Sequence, residues 1–234
     1  MASRFILFVV PARRPASNVG RTLACTVALA IVGLLTQIAP AAAATQEDKT
    51  QFSVTAGSLS FSAAPALPAL SSITLSGQAQ TTNTTMTNFG VADATGSGSG
   101  WNVTVEGQSG TKKSAVFAQY CPKATCGADA EGYVGGGASL VANSLTLNST
   151  GASFAAQNGS TGAAPTLQCS TACNVDHASA VKIASAAVNG GMGTWLTTGF
   201  TATSIALSTP TTLKALASEE VYRVNLLWTL STGP

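Results

Sequence analysis

The cysteines are the residues of this 234-residue chain whose spacing most directly suggests chemistry. Cys25 lies in the N-terminal region, and the other four form two close pairs: Cys121 with Cys126, and Cys169 with Cys173. In an oxidising compartment an even number of cysteines indicates disulfides. Four cysteines allow three pairings, of which the two local ones would each close a short loop. The alternative is a zinc site that the four thiolates form with His177, but Cys-x4-Cys and Cys-x3-Cys are not the usual zinc spacings.

Residues that could perform acid, base or nucleophilic chemistry are few and scattered. His177 is the only histidine, and it lies in a polar stretch where a single histidine is most often solvated. Two carboxylate pairs, Glu219 with Glu220 and Asp129 with Glu131, lie in turn-like segments, whereas sugar hydrolysis needs two carboxylates that converge in a cleft. The sequence has no nucleophile-elbow or zincin signature. We therefore expect a protein that is not an enzyme and that uses no metal and no cofactor.

The N-terminal region has the features of a secretory signal peptide. Basic Arg21 precedes an apolar run over residues 23–35, and four alanines at 41–44 provide a small-residue cleavage site. The run is short for a membrane span, which leaves an uncleaved signal anchor as the less favoured alternative. We predict a signal peptide over 1–44 with a long basic n-region, and a secreted chain that starts with a short polar segment, 45–51.

Removal of this leader changes the charge of the chain. Seven Lys and Arg remain against nine Asp and Glu, so the secreted part has a net charge of −2 and no basic face for nucleic acid or anionic lipid. No later segment is long and apolar enough to span a membrane. Roughly 190 residues suffice for one domain, which we assign to 52–234.

The elements that position these residues are strands. Short segments of alternating apolar and small polar residues are separated by Gly, Ser, Asn and Pro, and no long helical period occurs. The pattern predicts an all-β fold, either a single β-sandwich or a barrel-like domain. The candidate strands cover 52–55, 59–63, 73–75, 101–106, 139–147, 180–187, 194–200, 204–207, 211–215 and 221–230.

Two of these strands each place a tryptophan on their more apolar face. Side chains alternate along a strand, so Trp101 shares a face with Val103 and Val105. In the last strand, one face carries Tyr222, Val224, Leu226, Trp228 and Leu230. Stacking on a sugar is the alternative role for Trp101 and Trp228, but their apolar neighbours favour packing in the core.

These two strands carry a resemblance to the WxL-domain surface proteins of Gram-positive bacteria, which have two Trp-x-Leu motifs in one domain. The second motif is intact as Trp228-Thr229-Leu230, followed by Ser-Thr-Gly-Pro, whereas the first, Trp101-Asn102-Val103, has Val in place of Leu. The opening Phe-Ser-Val-Thr-Ala-Gly-Ser-Leu from position 52 also resembles the family. The resemblance covers 52–234, although the cysteine-bearing stretch between Cys121 and Cys173 matches no family pattern.

The resemblance implies non-covalent attachment to the bacterial cell wall. Peptidoglycan or another wall glycan would be the ligand, and other surface proteins would be further partners. The sequence itself contains no Leu-Pro-x-Thr-Gly sorting signal. An alternative function is that of a structural subunit of a surface fibre or coat, assembled through β-strand edges.

Three other aromatic residues are candidates for sugar contact. Trp195 follows a glycine-rich loop and has Thr197 as its neighbour on the same face, which makes an exposed ring as reasonable as a buried one. Tyr120 and Tyr133 flank the first cysteine pair and are weaker candidates of the same kind.

Overall fold

The computed structural model describes residues 47–234. The predicted signal peptide and the first residues of the polar segment lie outside this range. Residues Phe52–Pro234 form a compact unit. None of the helices in residues 47–234 has the length and apolar character that a membrane crossing needs.

The unit is built almost entirely from strands, with one short helix, α1, at Lys123–Cys126. The strands are β1 Leu59–Ala63, β2 Gln80–Thr84, β3 Gly90–Asp93, β4 Trp101–Gly107, β5 Ala118–Cys121, β6 Gly132–Tyr133, β7 Leu145–Leu147, β8 Ser153–Gln157, β9 Thr166–Leu167, β10 Cys173–Asn174, β11 Val181–Ala186, β12 Gly193–Thr198, β13 Ile205–Thr209, β14 Val221–Arg223 and β15 Leu226–Thr232.

All strand pairings in this unit are antiparallel, and they form four sheets. Three sheets have four strands, in the orders β1-β3-β12-β8, β10-β7-β13-β2 and β15-β4-β11-β9. The fourth has the order β14-β5-β6. The prediction of an all-β fold is confirmed, and among the described residues the sheets form open layers, as in a sandwich, and not a closed barrel.

The core lies between the sheets and consists of side chains from alternate residues of their strands. Along β4, the side chains at Trp101, Val103 and Val105 are fully buried while those between them are half-buried. Phe154 packs edge-on against Trp101 and against Phe89, with ring centroids 5.8 Å apart in both pairs. The sequence therefore correctly predicted which face of β4 is buried.

Other predicted strands differ from the observed ones. Residues 52–55, 73–75 and 211–215 form no strand, and the predicted 139–147 strand is reduced to β7. The predicted strand over 221–230 is divided between two sheets, because β14 pairs with β5 and β15 pairs with β4. The sequence pattern did not predict β2, β3, β5 and β8, nor the two-residue strands β6, β9 and β10.

Candidate functional site

The two Trp-x-Leu-like motifs lie side by side in one sheet. β15 runs antiparallel to β4, and this register places Leu230 opposite Val103, Trp228 opposite Val105 and Thr232 opposite Trp101. Residues directly opposite each other on paired strands contact through their side chains. Motifs that are far apart in the sequence thus form one packed unit of the sheet.

Trp101 is a core residue held by a specific backbone partner. Its side chain is fully buried, and its indole Nε1–H donates to the carbonyl oxygen of Gly191 at 3.1 Å. Gly191 has φ +68°, and a Cβ at this position would lie 2.6 Å from Trp101 Nε1. A side chain at Gly191 is therefore excluded both by its backbone conformation and by the indole.

Trp228 has a different environment from Trp101. It packs against the buried core, but it is only half-buried, and it lines a groove on the surface. The prediction of a core position is thus correct for Trp101 and only partly correct for Trp228. The physical reason is that β15 is an edge strand of its sheet, with a neighbour on one side only.

Of the two alternatives for Trp195, an exposed ring or a buried one, the structure has the buried one. Its side chain is 4% exposed, and its Nε1–H donates to the carbonyl oxygen of Met192 at 3.0 Å. The same face carries Thr197, which is buried because its Oγ1 accepts from Phe89 N at 2.8 Å and donates to Phe89 O at 3.0 Å. β12 is a central strand between β3 and β8. Thr197 can share its core face with Trp195 because the Thr197 hydroxyl has both of its hydrogen bonds satisfied. Trp195 presents no ring to a ligand.

The structure brings the two candidate tyrosines together. Tyr120 on β5 lies opposite Tyr133 on β6, and their ring centroids are 5.1 Å apart in an edge-on arrangement. Arg223 on β14 places its guanidinium carbon 4.4 Å from the Tyr120 ring centroid. Tyr120 is buried, Tyr133 is half-buried and Arg223 is exposed. We call Tyr120, Tyr133 and Arg223 the tyrosine–arginine cluster.

Hydrogen bonds orient both phenols of this cluster. Tyr120 Oη donates to Glu131 Oε1, and Tyr133 Oη donates to Asn225 Oδ1. The bond to Glu131 is the main reason that the pKa of Tyr120 is raised, while burial raises the pKa of Tyr133. Both phenols are therefore neutral at physiological pH, and the cluster has one cation, Arg223, on its exposed side. Sequence analysis identified the tyrosines but not Arg223, since only the pairing of β14 with β5 brings it to them.

The four cysteines outside the leader lie in the two local pairs. The Cα atoms of Cys121 and Cys126 are 6.0 Å apart, and those of Cys169 and Cys173 are 5.4 Å apart. The first pair links the end of β5 to the end of α1, next to the tyrosine–arginine cluster. In residues 47–234 no cluster of His, Cys, Asp and Glu has the arrangement of a metal site.

The carboxylates considered for catalysis have separate partners. Glu219 accepts from Thr125 Oγ1, and Glu220 accepts from Gln119 Nε2, both at 2.7 Å. Asp176 is fully buried, and its two carboxylate oxygens accept the backbone N–H groups of Ser144 and Leu145. Burial raises the pKa of Asp176, and the hydrogen bond from Leu145 opposes this shift. These bonds hold turns and loops in place, and Glu219 and Glu220 bond to different partners and do not form the facing pair that a glycosidase needs.

The surface has an apolar groove of about 1060 Å³ that the sequence did not predict. It lies between the segment 65–75, which has no regular strand, and residues that precede and form β14 and β15. Its walls are mostly Leu, Ile, Val and Pro side chains, with Trp228 among them. The side chains come from segments that are distant in the sequence, so their local pattern gives no sign of a common groove.

Two Trp-x-Leu-like motifs paired in one antiparallel sheet of an all-β unit are consistent with the surface domains that bind a cell wall. Residues 40–234 match the family described as WxL domain, surface cell wall-binding, and the chain belongs to that family. It is thus a secreted cell-surface protein that binds the wall non-covalently. No curated protein and no solved structure matches the chain.

Proposed function

We propose that the wall polymer bound by this protein is peptidoglycan, and that the exposed side of the tyrosine–arginine cluster contacts it. Peptidoglycan combines sugar rings, which pack on aromatic faces, with peptide stems that end in carboxylates. A half-buried tyrosine beside an exposed arginine offers both kinds of contact within one surface.

The observation that carries this proposal is the position of Arg223 over the ring of Tyr120. The cation–π contact holds the guanidinium near the cluster while its N–H groups remain on the exposed side. Arg can bind a carboxylate through two parallel hydrogen bonds, so a guanidinium fixed in this way is suited to a peptide-stem carboxylate. The hydrogen bond to Asn225 fixes the ring of Tyr133 beside it.

Binding without cleavage is part of the same proposal. The carboxylates near the cluster are engaged with other groups: Glu131 accepts from Tyr120, and Glu220 accepts from Gln119. We therefore expect no soluble muropeptides to be released when the protein is incubated with purified peptidoglycan. Release that depends on Glu131 would contradict this part of the proposal.

Co-sedimentation of the secreted protein with purified peptidoglycan tests the site. Tyr133→Ala and Arg223→Ala should each weaken binding roughly threefold to tenfold, the effect of losing one aromatic or charge-assisted contact. Tyr133→Phe retains the ring and should bind like the wild type. Lys182→Ala removes the same charge from an exposed position on β11 and is the matched control for Arg223→Ala.

Circular dichroism separates loss of binding from loss of fold. The proposal holds if Tyr133→Ala and Arg223→Ala remain folded but sediment less. It fails if both bind like the wild type, or if Lys182→Ala weakens binding as much as Arg223→Ala. In the second case the charge of the protein, and not the cluster, governs binding.

A further inference from the structure

A segment before the first strand makes no backbone pairing within its own unit. The sequence Phe52-Ser53-Val54-Thr55 alternates apolar and hydroxyl side chains as a strand does, yet it belongs to no sheet. Phe52 is 89% exposed and Val54 is 80% exposed. Phe52 and Val54 would share one face if the segment became a strand, and exposed alternating apolar residues of this kind are typical of a segment that pairs with another chain. We call residues 52–55 the donor segment.

An edge strand of the same unit has an unpaired side. β14 ends its sheet, with β5 as its one neighbour, and the described residues make no other backbone hydrogen bonds to Val221–Arg223. All five consecutive residues 220–224 line the apolar groove. Since successive side chains of a strand point to opposite faces, a groove lined by consecutive residues runs along the edge of β14, where backbone groups are free.

The groove also offers apolar contacts to a strand that lies along this edge. Leu213, Leu216 and Leu226 line it together with Trp228, and Val221 on β14 is itself 44% exposed. These side chains could cover the alternate apolar residues of an added strand. Addition of a strand to a sheet edge combines backbone hydrogen bonds with such side-chain pockets.

Charge favours a second copy of this chain as the source of that strand. In the sequence, Glu47, Asp48 and Lys49 precede the donor segment and give a net charge of −1. The groove wall carries Lys214 and Arg223 against one acidic residue, Glu220, which is a net charge of +1. Opposite charges beside an apolar contact favour encounter and fix its direction.

We infer that the donor segment of one copy adds to the free edge of β14 in a second copy, with Phe52 and Val54 in the apolar groove. This self-association goes beyond wall binding: Arg223 lies at both surfaces, but the donor segment takes no part in the proposed peptidoglycan site. The contact joins two different surfaces, so it can continue from copy to copy and build chains unless the geometry closes a ring.

Sedimentation velocity of the secreted protein at increasing concentration tests the inference. The wild type should form dimers and larger species, and the double variant Phe52→Ser, Val54→Ser should weaken association by at least about tenfold, because it removes two buried apolar contacts. The matched control is Val141→Ser with Val188→Ser, two valines that are 77% and 62% exposed elsewhere on the unit. This control should associate like the wild type.

Cross-linking identifies the surface that accepts the segment. A copy with Val54→Cys mixed with a copy with Val221→Cys should give a covalent dimer with a short bismaleimide, whereas Val141→Cys in place of Val221→Cys should not. A protein that stays monomeric, or a donor-segment variant that associates like the wild type, would overturn the inference. So would a groove that binds a fatty-acid probe while the protein remains monomeric, since the occupant would then be a small amphiphile. Peptidoglycan sedimentation of the donor-segment variant separates this test from that of wall binding.

Discussion

Replacement of Trp101 by alanine tests whether the paired motifs are a packing device. Trp101 is fully buried, it packs edge-on against Phe154 at 5.8 Å, and its indole N–H is bonded to the carbonyl of Gly191. Removing a fully buried large aromatic costs about 3–5 kcal/mol of unfolding free energy. Trp228 is half-buried on an edge strand, so Trp228→Ala should cost less, about 2 kcal/mol.

The variant Trp101→Phe separates the ring from its hydrogen bond. A phenyl ring can still pack against Phe154, but it leaves the Gly191 carbonyl without its donor, which costs about 1–3 kcal/mol. Urea unfolding followed by far-ultraviolet circular dichroism measures all three variants without relying on tryptophan fluorescence. The expected order of destabilisation is Trp101→Ala first, then Trp228→Ala and Trp101→Phe. The packing argument is refuted if Trp101→Ala costs less than about 1 kcal/mol or if Trp228→Ala costs more than Trp101→Ala.

Three further predictions concern the surroundings of this core. Gly191→Ala should destabilise the fold by about 2 kcal/mol or more, because its Cβ meets the Trp101 indole and its φ is positive, and urea midpoints would show this. Burial raises the pKa of Asp176 in the folded protein above its value in the unfolded chain. The contribution of Asp176 to the free energy of unfolding should therefore be complete below the unfolded-state pKa and be lost as the pH rises through the folded-state pKa. Urea midpoints across this pH range should fall for the wild type but not for Asp176→Asn. Non-reducing peptide mapping of the secreted protein should find the two local cysteine pairs, and a cross-link between the pairs would contradict the observed arrangement.

Strands with an alternating pattern and a partner on the expected side could be predicted from the sequence. β1 has the predicted bounds, and β4 differs by one residue, since each alternates apolar and polar side chains over its whole length. Residues 52–55 alternate equally well but form no strand, because no partner in the unit offers them backbone hydrogen bonds. Alternation therefore predicts a strand's faces but not whether it is paired.

Strands without alternation were missed for opposite reasons. β2 has the sequence Gln-Thr-Thr-Asn-Thr, whose side chains are half-buried or exposed and include no apolar residue. β3 lies between β1 and β12, and three of its four residues are buried. β2 is an edge strand and needs no apolar face, whereas β3 is a central strand and has no solvent-facing polar face. Neither sequence therefore alternates between apolar and polar residues.

The candidate site could be predicted only in part. The sequence indicated Tyr120 and Tyr133 as candidates because they flank the first cysteine pair, but Arg223 joins them only through the pairing of β14 with β5. The position of Trp195 stayed open because Thr197 suggested a polar face, whereas both hydrogen bonds of the Thr197 hydroxyl are satisfied inside the core. A buried threonine cannot be distinguished from an exposed one by residue type alone.

The pairing of β15 with β4 also joins two strands that are far apart in the chain. β15 follows every other strand in the chain, yet it covers the outer edge of β4, whose residues are made much earlier. A chain that emerges from its N-terminus must leave that edge uncovered until the last strand is available, and such distant pairings form slowly. A copy that stops before Trp228 would retain the first motif without its partner and expose the edge of β4. We expect a copy that stops before Trp228 to be cleaved by a protease faster than the full chain, because the edge of β4 then has no partner.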